Sequence, residues 1–166
     1  MRGGGTGFKE DDMILTRSQK IALYSNLEGR NVYKSASTRW PSKTVFYKYS
    51  STITSAQKSL IEKAFKSIES VTCVKIRPAG SSTENYVYVT NENSGCWSYV
   101  GFLGGRQQLN LQSNGCMYFG IITHETLHTL GFFHQQSASD RDRFINIHYD
   151  NISPGREYNF AKYSRI

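Results

Sequence analysis

From His124 to His134 the chain reads His-Glu-Thr-Leu-His-Thr-Leu-Gly-Phe-Phe-His. On a helix, His124 and His128 lie one turn apart on the same face, so two imidazoles can address one ion. Gly131 can end that helix with a positive φ, turning the chain so that His134 returns as a third nitrogen ligand. Three neutral imidazoles leave a zinc ion one open position for a water, whose pKa the metal brings to about 7. Glu125, next to the first ligand, can take that water's proton as general base and later hand it to a leaving amine. A helix with hydrogen-bonded histidines on its polar side would need neither a base nor a turn glycine at these offsets, so the longer pattern favours one catalytic zinc per chain. All four histidines of the chain fall between positions 124 and 148. The fourth, His148, lies in an alternating Phe-Ile-Asn-Ile-His-Tyr run and reads as a surface or packing residue.

Composition frames this site. A chain of 166 residues suits one domain with a real core. The formal charge of +7 favours acidic partners such as polyanionic matrix or anionic protein surfaces. Nucleic acid is not expected, because the basic residues are scattered and there is neither a Lys/Arg run nor a paired-cysteine finger. No run of some 18 apolar residues could cross a membrane, and Met1 precedes Arg-Gly-Gly-Gly-Thr-Gly rather than an apolar signal core. Of the three cysteines, Cys96 and Cys116 flank a glycine-rich segment and could close a loop worth about 3 kcal/mol. Cys73 is then unpaired in this chain, which points to intermolecular pairing or to a missing piece of chain.

The remaining segments supply the elements that must hold the ligands. Residues 1–30 differ in character from the rest of the chain: a glycine-rich start, then Phe8 to Leu15, then a short helix through Ile21, Ala22 and Leu23 opened by a Thr16/Gln19 capping box. Asn26 to Asn31 is a polar turn whose Arg30 is a natural nicking point. From Arg39 the compact part begins with Trp40-Pro41, and Thr44–Tyr49 reads as a strand. Behind a second capping box, Thr54/Gln57, the apolar residues Leu60, Ile61, Ala64, Phe65 and Ile68 recur at helical spacing and should pack on a sheet. Cys73–Arg77, Asn85–Thr90 and Gln107–Leu111 are expected strands. Gly95–Gly105 is expected to form turns or a bulged edge strand, Cys116–Leu130 the ligand helix, and Phe144–Tyr149 a short extended piece.

These residues resemble the astacin-type zinc endopeptidases of the metzincin group. The likeness is carried by Arg39-Trp40-Pro41, Thr72-Cys73-Val74, Gly95 to Gly101, Gly115-Cys116, the zinc motif, Asp140-Arg141-Asp142, Asn151-Ile152 and Tyr158-Asn159-Phe160. It implies an α+β, metzincin-like zincin fold: a twisted mixed sheet with a backing helix above a cleft floored by the zinc helix. It implies a protein or peptide substrate, drawn from extracellular or matrix proteins, lying extended along an edge strand formed by Trp97, Ser98, Tyr99, Val100 and Gly101. Residues 1–30 would be a propeptide-like segment and 31–166 the catalytic domain. In that family a propeptide aspartate in a Phe-x-Gly-Asp motif blocks the zinc; here Phe8-Lys9-Glu10-Asp11-Asp12 offers Asp12, with Asp11 as runner-up. A secreted protein is implied as well.

The sequence departs from the family pattern in three places. Gln135 stands where a glutamate usually receives the mature N-terminal amine, and Ala138 where an arginine is usual. The family's methionine turn, its zinc-binding tyrosine and the partner of Cys73 would all lie beyond Ile166, so most of a C-terminal subdomain is expected to be missing. The competing expectation is therefore a catalytically impaired relative that acts as a zinc- or peptide-binding module.

Overall fold

The computed structural model describes residues 7–24 and 38–163. The expected turn at Asn26 to Asn31, with Arg30, lies outside them. Two short strands, β1 (Phe8–Glu10) and β2 (Met13–Leu15), form a hairpin that leads into helix α1 (Arg17–Tyr24). The expected capping box opens α1: the Thr16 amide donates to Gln19 Oε1 at 2.8 Å and the Gln19 amide to Thr16 Oγ1 at 3.2 Å. The rest of the sheet comprises β3 (Thr44–Tyr49), β4 (Lys75–Pro78), β5 (Tyr86–Thr90), β6 (Cys96–Tyr99) and β7 (Arg106–Leu111). Helix α2 (Ser55–Val71) follows β3, and helix α3 (Phe119–Thr129) follows β7.

The seven strands run in the order β1-β2-β6-β7-β5-β3-β4. Strands β7, β5, β3 and β4 are parallel to one another, β6 is antiparallel to β7, and β2 joins β6 in parallel. This is the mixed sheet the sequence implied. Its main core lies between one sheet face and both long helices, where Val45, Val87, Leu109 and Leu111 meet Ile61, Phe65 and Ile122. The Thr54/Gln57 box caps α2 as expected, which fixes where that apolar stripe begins. A second cluster joins Met13, Leu15 and Leu23 of the N-terminal segment to Val100, Phe133 and Tyr163. Burying these side chains holds the segment on the domain by the hydrophobic effect, whatever happens at the histidines.

Four boundaries differ from expectation. Helix α3 begins at Phe119, not Cys116, because Cys116 is tied to Cys96 and Tyr118 is extended at φ −122°, ψ 139°. Strand β4 begins at Lys75, not Cys73, because Thr72 ends α2: its hydroxyl donates to the Ile68 carbonyl at 2.8 Å and accepts the Val74 amide at 3.3 Å. Phe144–Tyr149 forms no strand; alternation without a neighbouring strand to pair with leaves Phe144 75% exposed. Strand β6 stops at Tyr99, since Gly101 turns away at φ 71°, and its outer side carries β2 instead of standing free as an edge.

Candidate metal centre

Helix α3 presents His124, Glu125 and His128, and its C-terminus aims His134. Gly131 takes φ 104°, a left-handed conformation that costs glycine little. The Gly131 amide donates to the His128 carbonyl at 2.8 Å and the Phe132 amide to the Leu127 carbonyl at 3.1 Å. Those two bonds are a Schellman stop, which satisfies the last carbonyls of the helix while reversing the chain. His134 therefore lies back over the helix, buried, with its ring 4.9 Å from that of His128 and 5.4 Å from that of His124, centroid to centroid.

The fourth member comes from the other end of the sequence. Asp11 and Asp12 make the two-residue turn of the β1–β2 hairpin, with Asp11 at φ 53°. Aspartate tolerates the left-handed region better than most residues. The turn leaves Asp11 exposed and brings Asp12 onto the histidines. Asp12 Oδ1 lies 2.8 Å from His134 Nε2 and 3.4 Å from His128 Nε2, and Asp12 Oδ2 lies 3.1 Å from His124 Nε2. The Nε2 atoms of His124 and His128 are 3.0 Å apart.

The donor set fits a zinc ion. All four ligand atoms lie within 4.8 Å of one another. Bonds of about 2.0–2.1 Å in a tetrahedron put ligand atoms about 3.3 Å apart, which the observed separations bracket. His128 Nδ1 donates to the Phe132 carbonyl at 2.7 Å, fixing the tautomer that leaves the Nε2 lone pair facing the cluster. Asp12 Oδ1 is buried and makes no hydrogen bond despite its short distance to His134. A buried carboxylate oxygen placed among imidazole nitrogens is what a cation would satisfy. Burial alone would raise the Asp12 carboxyl, but its contacts with the three imidazoles outweigh that and hold it far below the usual range.

Glu125 sits next to this cluster, 1% exposed, with Oε2 unpartnered. Burial, with the Asp12 charge adding to it, pushes its carboxyl up to about 9. A divalent cation at the imidazoles would draw it down again, and removing Asp12 would do the same. With its charge restored by such a cation, an unpartnered carboxylate beside the imidazoles is placed to act as a general base.

Several supports could not be read from local sequence. The Trp40 indole N–H donates to the Thr129 carbonyl at 2.8 Å, tying the domain's opening residue to the end of α3. The hydroxyls of Ser98 and Thr129 meet at 2.9 Å, and the Gly101 amide donates to the His128 carbonyl at 2.9 Å, fastening β6 to the ligand helix. Gln19 Nε2 donates to the Val100 carbonyl at 2.7 Å. Only the spacing of Gln19 after Thr16 hinted at a role, and that hint spoke to capping alone. Gln135 is exposed, with its amide on the Phe133 carbonyl, and Ala138 is buried. Cys96 and Cys116 are joined as the spacing suggested, Cys73 is free and exposed, and His148 is exposed.

A mixed sheet over a helix bearing two imidazoles and a buried glutamate, with a third imidazole brought back by the turn after it, defines a metallopeptidase-like architecture. The family model of the astacin peptidases matches residues 32–166, and the chain belongs to that family. It is 42% identical to Blastula protease 10 of Paracentrotus lividus over 93% of this chain and 28% of that protein. It is 36% identical to zinc metalloproteinase nas-4 of Caenorhabditis elegans over 95% of this chain and 50% of that protein. The chain thus spans half or less of the length of these relatives. Among solved structures it superposes on high choriolytic enzyme 1, a hatching enzyme zinc-protease from Oryzias latipes, with a TM-score of 0.67 and 34% identity, covering 80% of this chain and 68% of that one. Zinc is the metal of this family. No helix among the described residues is long and apolar enough to cross a membrane.

Proposed function

We propose that this chain carries the metal-binding side of a secreted zinc endopeptidase that cleaves internal peptide bonds of extracellular or matrix proteins, and that residues 1–30 hold it latent. The observation that carries the proposal is the convergence of His124, His128, His134 and Asp12 beside a buried, unpartnered Glu125. When bound, zinc supplies a Lewis acid that polarises the scissile carbonyl and acidifies water. His124, His128 and His134 hold it, with the His128 tautomer set through the Phe132 carbonyl. Glu125 takes a proton from the attacking water and returns it to the leaving nitrogen.

Substrate binding falls to β6. The outward amides of Ser98 in β6 and of Val100 just after it now donate to the carbonyls of Asp12 and Ile14, at 2.9 and 3.4 Å. With β2 gone, the same donors receive an extended peptide by strand addition. The N-terminal segment thus blocks two things at once: Asp12 would join the three histidines in holding the metal, and β2 takes the substrate's strand. The family match starting at residue 32 supports placing the boundary near Arg30-Asn31, and the Cys96–Cys116 disulfide supports an oxidising, extracellular setting. The test is cleavage of unfolded casein by the zinc-loaded chain after proteolytic removal of residues 1–30, against Glu125→Ala treated alike. Turnover about a hundredfold or more above that variant is expected. Equal rates at equal zinc content would leave a peptide-binding module in its place.

A further inference from the structure

The sheet has a second face that hydrolysis does not use. Residues that alternate with the buried Val45, Tyr47, Val87 and Leu109 point away from α2 and α3, while on the edge strand β4 the Arg77 side chain reaches round to Glu69 of α2. On that face the registers set Arg77 beside Phe46, Lys48 beside Tyr88, and Tyr86 beside Arg106. Lys75 lies on it too, one step along β4, paired with Thr44. Strands β3 to β7 contain no aspartate or glutamate. The Arg106 guanidinium lies 4.0 Å above the Tyr88 ring and the Lys48 ammonium 4.4 Å from the Tyr86 ring. Lys75, Arg77 and Arg106 are exposed, and Arg77 pairs with a carboxylate, that of Glu69 at the far end of α2.

A row of cations held over aromatic rings, crossing four strands about 4.8 Å apart, suits an extended anionic polymer. Sulfate groups accept charge-assisted hydrogen bonds from Lys and Arg, and the tyrosine rings hold two of these cations in fixed positions. A nucleic acid offers similar chemistry, but the Cys96–Cys116 disulfide places the protein where polyanions are chiefly polysaccharides. We propose that the open face of β4-β3-β5-β7 binds a sulfated polysaccharide through Lys48, Lys75 and Arg106, with Tyr86 and Tyr88 holding Lys48 and Arg106 in place over their rings. This goes beyond peptide hydrolysis and needs neither metal nor an open cleft.

The experiment is titration of the full chain with a heparin dodecasaccharide at about 0.15 M salt. Lys48→Gln/Lys75→Gln/Arg106→Gln should weaken binding about tenfold or more, given the worth of a surface cation facing a polyanion. Lys63→Gln/Lys66→Gln/Arg143→Gln removes the same charge elsewhere and should weaken it less than about threefold. Equal losses would mean net charge alone and overturn the site; so would equal binding of desulfated heparin. Tighter binding of single-stranded DNA of equal charge would overturn the assignment to polysaccharide. Should the first variant melt early, Lys75→Gln/Arg106→Gln, which keeps the Arg77–Glu69 pair, carries the same test, with a loss of about fivefold expected.

Discussion

Replacing Gln19 by Ala should loosen the N-terminal segment while leaving the domain folded. Gln19 is 1% exposed and makes two hydrogen bonds through its side chain, donating to the Val100 carbonyl at 2.7 Å and accepting from the Thr16 amide at 2.8 Å. Alanine leaves the Val100 carbonyl buried without that partner, a loss of about 1–3 kcal/mol. It also removes one half of the capping box, about 0.5–1 kcal/mol, while Thr16 can still accept the amide of residue 19. The sum, about 1.5–4 kcal/mol, corresponds to a roughly 10- to 1000-fold rise in the population in which residues 7–24 are detached. Hydrogen exchange reads this at the Ser98 amide, which donates to the Asp12 carbonyl and is freed only when the segment lifts. In the variant Ser98 should exchange faster by about that factor, while amides within β5 keep their protection. Unchanged exchange at Ser98 would refute the tethering role. Equal acceleration at Ser98 and in β5 would make Gln19 a support of the whole domain instead.

Other expected outcomes rest on the same contacts. Gly131→Ala forces a side chain into φ 104°, which should destabilise the protein by about 1–2 kcal/mol and weaken zinc retention in a chelator competition, because His134 is aimed by that turn. Cys96→Ser/Cys116→Ser opens a loop whose ends are 20 residues apart; a loss of about 3 kcal/mol should lower Tm by about 6–12 °C in calorimetry. For Glu69, burial is outweighed by the Ile76 amide and Arg77, which lower its carboxyl below the ordinary value. Its stabilisation is therefore present above the unfolded pKa and lost as pH falls through the folded one. Unfolding free energies of wild type and Glu69→Gln from urea titration should differ at neutral pH by about 1 kcal/mol and converge in acid.

Much of the fold and site was legible because the signals were local or periodic. The two capping boxes, the α2 stripe of Ile61, Ala64, Phe65 and Ile68, and the strand Thr44–Tyr49 each arise from spacing, and each has its expected place. The geometry of the ligand turn was readable too, since only a residue tolerant of positive φ could bring His134 back. What escaped were features set by partners far along the chain. The alternation of Phe144–Tyr149 promised a strand, yet a strand needs a neighbour. The helical content of Cys116–Tyr118 yielded to a disulfide and an extended cap. The pairing of β2 with β6, and the bonds from Gln19 to Val100 and from Trp40 to Thr129, join residues 81 and 89 positions apart in the last two cases. No pattern within a window of about a dozen residues encodes such a contact.

The central claim is that three histidines hold zinc and that Asp12 completes the site in the full chain. X-ray absorption of the zinc-loaded protein addresses it most directly. The spectrum should fit three imidazole nitrogens and one carboxylate oxygen at about 2.0–2.1 Å, and Asp12→Ala should lose the carboxylate while keeping one zinc per chain. Sulfur at about 2.3 Å, the signature of Cys73 as a ligand, or full zinc occupancy in His128→Ala, would contradict it.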